Sequence, residues 1–153
     1  MPNTQPIGVA FADQVISGGT VDNTPVGATT PSSVVATTCY ASDEIGYSTA
    51  AQGAVTQATS KSTGVTLNES MGKITMNGAA LGAGATVLFT LTNSKISAND
   101  VLIVNLGSAG TSGAYWPYVA NVAAGTAVIG LYNNTAGSLS EAVVVNFAII
   151  HGQ

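Results

Sequence analysis

The stretch "NTAGSLSEAVVVNFAII", Asn134 to Ile150, decides the fold class. It reads as a turn followed by a strand. Successive side chains of a strand alternate between its faces. Val143, Val145, Phe147 and Ile149 therefore point one way, and Ala142, Val144, Asn146, Ala148 and Ile150 the other. A half-buried strand carries one apolar and one polar face. Here both faces are largely apolar, so something must cover the second.

The rest of the chain after residue 54 repeats this theme. Strands are predicted over Gly64–Asn68, Met71–Met76, Ala85–Asn93, Asp100–Gly107, Ala114–Val122, Thr126–Asn133 and Ala142–Ile150. Turn formers separate them: Asn77-Gly78, "GAG" at 82–84, "NSKISAND" at 93–100, "GSAGTSG" at 107–113, Ala124-Gly125 and "NNTAG" at 133–137. Short strands joined by Gly-rich turns describe an all-β protein, an antiparallel β-sandwich of jelly-roll type. Ala85–Asn93 sets Val87, Phe89 and Leu91 against a Thr-rich face that also holds Leu88. Asp100–Gly107 opposes Val101 and Ile103 to Leu102, Val104 and Leu106, and Thr126–Asn133 opposes Ile129 and Leu131 to Val128 and Tyr132.

A sandwich buries one face of each sheet. At ~25 cal/mol per Å2, several Val, Leu and Ile side chains left in water forfeit several kcal/mol. Large exposed apolar patches mark interfaces, and symmetric oligomers are the common solution. A homotrimer is expected, with Leu88, Leu102, Val104, Val144 and Ile150 as interface candidates on the sandwich.

Composition agrees with a protein that lives in an assembly. Gly, Ala, Ser and Thr supply 74 of 153 residues. Residues that fill exposed helices are scarce, so helix is a minor component. Only 7% of residues are charged, against about 25% in ordinary soluble domains. There are three lysines and no arginine, and the net charge of −4 falls on residues 1–60. Such a chain is a poor phosphate binder, and nucleic acid is not an expected partner. No apolar run approaches the roughly 18 residues of a membrane span, so no membrane partner is expected. The start, "MPNTQPIGVAFADQ", lacks the pattern of a signal peptide, and synthesis in a cytoplasm is expected.

Before residue 55 the pattern is different. Four of the five prolines fall within the first 31 residues, among short apolar pieces. Residues 1–54 read as an extended arm that needs partners, and residues 55–153 as the β-sandwich domain. Ile16, Val21 and Val26 are spaced as apolar pegs for a neighbouring subunit, and a sheet edge would add backbone pairing.

"VISGGTVDNTPVGATTPSS", Val15 to Ser33, resembles a motif of bacteriophage fibre proteins, in which such a segment leads into a trimeric β-structured stem. Pro25 departs from that pattern. "VTQATSKSTGVTLNESMGKITMNGAAL", Val55 to Leu81, and Asn133 to Ile150 look like the globular unit of phage virion proteins, including head fibres, decoration (cement) proteins and tail-fibre tips. The resemblance implies a structural role in the virion and brings no catalytic residue, and a place on the head makes the major capsid protein the expected partner. One short arm and one globular unit fit a knob on the outer capsid surface better than a tail fibre with shaft and tip. The competing expectation is a tail-fibre or spike tip that binds a host-surface glycan.

Candidate sites follow from the remaining chemistry. "GAYWPYV", Gly113 to Val119, gathers Tyr115, Trp116 and Tyr118 as a possible host-contact patch. Neighbours on a strand point apart, so Tyr115 and Trp116 are not expected to form one platform, and packing is the stronger expectation. Pro117 argues for an edge strand or a bulge. His151 is the only histidine, too near the end to be expected in a catalytic triad. Cys39, the only cysteine, is expected as a small packing residue. Asp43-Glu44 reads as a solvated pair. No residues are spaced to hold a metal or a cofactor, and no paired carboxylates suggest hydrolysis. A non-enzymatic protein is expected.

Overall fold

The computed structural model describes residues 34–108 and 110–152. The chain divides into Met1–Ser42 and Asp43–Gln153. Residues 34–42 form no helix or strand and are exposed, Cys39 among them. Cys39 is therefore not the packing residue the sequence suggests. The pegs Ile16, Val21 and Val26 lie outside the described residues.

The second unit holds a short 3-10 turn, Thr49–Ala51, and eight strands: β1 (Gln52–Thr56), β2 (Val65–Thr66), β3 (Met71–Thr75), β4 (Thr86–Thr92), β5 (Val101–Ser108), β6 (Tyr115–Ala123), β7 (Thr126–Asn133) and β8 (Val144–Ile150). They form two four-stranded sheets, ordered β1-β3-β8-β5 and β2-β4-β7-β6. Each expected strand is present within a few residues. β1 was not expected, because "QGAVT" carries one branched apolar residue. It forms by pairing along its length with β3, which sets Val55 against the core.

The antiparallel expectation holds for four pairings and fails for two. β1 pairs with β3, and β2 with β4, in parallel. The cause is the path of the chain. From β1 to β4 it changes sheet at every connection. Two crossings return the chain to its first sheet in its first direction, the long-connection route that parallel pairs need. Only β6 and β7 form a hairpin inside one sheet, closed at Ala124-Gly125. Gly125 has φ 76, a left-handed value that strains any other residue. β6 is an edge strand, which accommodates Pro117 opposite Leu131, and it carries a bulge further on, between Val119 and Asn121.

The core lies between the sheets. Ile74, Leu102, Val145, Phe147 and Ile149 meet Val65, Phe89, Leu91, Ile129 and Leu131, and Met76, Leu81, Ile96 and Val143 close the ends. This corrects the assignment of Leu102 and Val104. Their register partners on β8 are Ile149 and Phe147, both buried. Paired residues share a face, so Leu102 is buried at 7% exposure and Val104 packs against the core. Alternation defines two faces of β5 but does not say which one is inside.

Buried polar groups tie the loops to this core. Asn133 is fully buried at the end of β7. Its Nδ2 donates to the carbonyls of Leu81 at 3.0 Å, Gly82 at 2.9 Å and Gly137 at 2.8 Å. Its Oδ1 accepts from the Thr135 N–H at 3.0 Å. Lys61 is buried too, and its Nζ donates to the carbonyls of Asn77 and Glu141, each at 2.5 Å. Gln57 holds the same loop, donating to the Lys61 and Thr63 carbonyls.

Candidate functional site

Two outward sheet faces carry the chemistry that the core does not use, and they differ in kind. On the first sheet, Met71, Lys73 and Thr75 of β3, Val144, Asn146, Ala148 and Ile150 of β8, and Val101, Ile103 and Asn105 of β5 point away from the core. Val101 pairs with Ile150, and Ile103 with Ala148, which in turn pairs with Met71. Val101, Ile103 and Ile150 are 58%, 50% and 54% exposed. The patch is contiguous and aliphatic, and Lys73 is the one charged residue among the outward strand positions around it. Ile45 extends it. The Tyr47 hydroxyl donates to the Ile149 carbonyl, and Ile45, Tyr47, Ile150 and His151 line one shallow cleft.

The outer face of the second sheet is aromatic. Trp116 and Tyr118 are two residues apart on β6 and both point outward, at 57% and 41% exposure. Tyr132 lies opposite Trp116 on β7, with ring centroids 6.2 Å apart and planes tilted by 60°. The tilted pair lies within the roughly 4.5–7 Å centroid separation at which aromatic side chains attract one another. Tyr118 is paired with Gly130, and Gly130 with Leu88 of β4. A Cβ at position 130 would overlap the Tyr118 ring, so the missing side chain is what lets the phenol reach across β7. Thr86, Thr90 and Thr92 stand exposed on β4 beside this surface.

Tyr115 does not belong to the patch. It is buried at 2% exposure, and burial together with the nearby Glu141 carboxylate pushes its phenol up to about 12. The sequence signal for the platform was the i, i+2 pair Trp116 and Tyr118, and the third ring, Tyr132, needs the β6–β7 register to be found. Of the interface candidates, Leu88 (48% exposed) and Ile150 stand outward, and Val144 is half-buried on the outer side of β8. Leu102 and Val104 face the core. Val101 and Ile103 take their place on the outer face.

His151 is held more firmly than its position near the end suggests. Its Nδ1 lies 3.1 Å from Asp100 Oδ2. Asp100 also accepts from the Ser97 N–H at 2.8 Å, the Ser97 hydroxyl at 2.7 Å and the Gly152 N–H at 3.0 Å. These donors, the Ser97 backbone foremost, bring its carboxyl down to about 2. The serine bonds the acid and not the imidazole, so the trio lacks the nucleophile–base link of a triad. It is a clasp between the β4–β5 loop and the segment after β8. Among the described residues, no three His, Cys, Asp or Glu side chains gather as metal ligands.

No family model matches this chain, and no curated protein or solved structure matches it either.

Proposed function

We propose that this protein is a structural component of a phage head, a homotrimeric decoration (cement) or head-fibre protein that binds the outer capsid surface and stabilises the shell. The observation that carries the reading is the aliphatic outer face of the first sheet. Val101, Ile103 and Ile150 each leave about half of their surface in water on one contiguous patch. Such a patch is the mark of an interface, and copies of the same chain are its economical cover. Val34, Val35 and Tyr40, which are 73%, 97% and 91% exposed, supply further apolar contacts ahead of the sandwich. The likeness of Val15–Ser33 to phage fibre segments supports the virion setting, with the arm, shortened to the residues ahead of Asp43 because β1 (Gln52–Thr56) belongs to the sandwich, engaging the major capsid protein. The role needs no catalytic residue, cofactor or metal.

Sedimentation and capsid binding test this reading together. The purified protein is expected to sediment as a trimer and Ile103→Asp as a monomer with an unchanged far-UV spectrum. The wild-type protein is expected to co-sediment with empty phage heads, and a version lacking residues 1–30 to stay behind. A monomer indifferent to capsids overturns the proposal.

A further inference from the structure

We propose that the outer face of the second sheet is a binding site for a neutral carbohydrate, with Trp116, Tyr118 and Tyr132 as its stacking floor. Trp116 and Tyr118 rise from the same side of β6, about 7 Å apart along the strand. Both are exposed, and the missing side chain at Gly130 lets the Tyr118 ring lie across β7 toward the exposed Leu88 of β4. An aromatic face is electron-rich and attracts the weakly positive C–H face of a pyranose.

The surroundings supply the other half of sugar recognition. Thr86, Thr90 and Thr92 hydroxyls stand exposed along β4, and the Asn121 amide is exposed at the β6 bulge. Each hydroxyl both donates and accepts, and the amide does the same. None of the outward strand residues of this sheet is Asp, Glu, Lys, Arg or His. A sialic acid, uronic acid or phosphate would bring a charge that finds no partner here, so the ligand is uncharged. A second copy of the chain suits this face poorly, because packing against it would strip water from the threonine row without replacing its hydrogen bonds. The aliphatic patch of the first sheet, Val101, Ile103 and Ile150, has no threonine hydroxyl among its own side chains. Glycan binding stands whether or not the protein coats a capsid.

Trp116 is the only tryptophan, so its emission reports on the site directly. The full chain is titrated with neutral gluco-, galacto- and manno-oligosaccharides and with sialylated and phosphorylated ones. At least one neutral series is expected to shift the emission saturably in the micromolar to millimolar range. By calorimetry, Tyr118→Ala and Tyr132→Ala are expected to weaken that binding about tenfold or more, as loss of a stacking ring does, and Trp116→Ala to abolish it. Sedimentation and far-UV spectra of these variants remain those of the wild type, and Tyr118→Ala decides the question if Trp116→Ala fails to fold. Absence of a saturable response to every neutral sugar, or binding only of charged ones, overturns the proposal. So does a Trp116→Ala protein that folds but changes oligomeric state, since the face would then be covered by a second copy.

Discussion

The ring of Tyr118 occupies the space that a side chain at position 130 would fill. The two residues are register partners across the β6–β7 hairpin, and the outward position of the phenol depends on the glycine beneath it. Gly130→Val is expected to push the ring off the sheet. Because Tyr118 is 41% exposed it can move, and the cost stays near the lower end of the ~1–3 kcal/mol typical of overpacking. Near-UV circular dichroism should change while the far-UV spectrum does not, and urea unfolding should show the modest loss.

Much of the fold was legible because hydrophobic alternation and turn residues act locally. Val87, Phe89 and Leu91 of β4 proclaim one inward face, and Gly125 marks its hairpin. What escaped was set by distant partners. β1 has little strand character of its own and forms only against β3. On β5 both faces are apolar, and only pairing with Phe147 and Ile149 puts Val104 and Leu102 inside. The aromatic platform was half legible for the same reason: Trp116 and Tyr118 lie on one strand, whereas Tyr132 comes from the next. The clasp of His151 by Asp100 joins residues 51 positions apart, and no local pattern announces it.

The inversion on β5 makes a sharp contrast between neighbours. Leu102→Ala removes a side chain buried at 7% exposure within the core cluster. It should cost about 2–5 kcal/mol, the usual range for such truncations. Ile103→Ala, from a residue 50% exposed, should cost less than about 1 kcal/mol in the dissociated chain. Urea unfolding at low protein concentration compares the two. Equal losses would mean that the face assignment is wrong.

Asp100 sets the acid limit of the clasp. Its carboxyl titrates at about 2 in the folded chain, against 3.8 when unconstrained. A depressed folded value means that the unfolded chain binds the proton first, so stability falls as pH falls. The contribution is complete above about 3.8 and is lost as pH descends through about 2. Asp100→Asn should flatten the pH dependence of the unfolding midpoint within that window and leave the slope at neutral pH alone. The C-terminal segment of the variant should also exchange its Gly152 amide proton faster, since the Asp100 acceptor is weakened.

Lys61 supplies the last test, because its charge is spent inside the molecule. It is 3% exposed, and burial drives its ammonium below the ordinary lysine value, with Glu141 opposing that shift. The ammonium persists because it is bonded to the Asn77 and Glu141 carbonyls, which join the loop after β1 to the segments following β3 and preceding β8. Lys61→Met keeps the aliphatic stem but leaves those carbonyls without their donor, at about 1–3 kcal/mol for each buried acceptor. A loss of about 2–6 kcal/mol by urea unfolding is therefore expected for the two carbonyls together. Lys73→Met, on an exposed side chain, should stay within about 0.5 kcal/mol. Amine-reactive labelling of the folded protein gives an independent reading: Lys73 and Lys95, both exposed, should be modified rapidly, and Lys61 only when the chain unfolds. Rapid labelling of Lys61 in the native protein would show that the ammonium is not held between the two carbonyls.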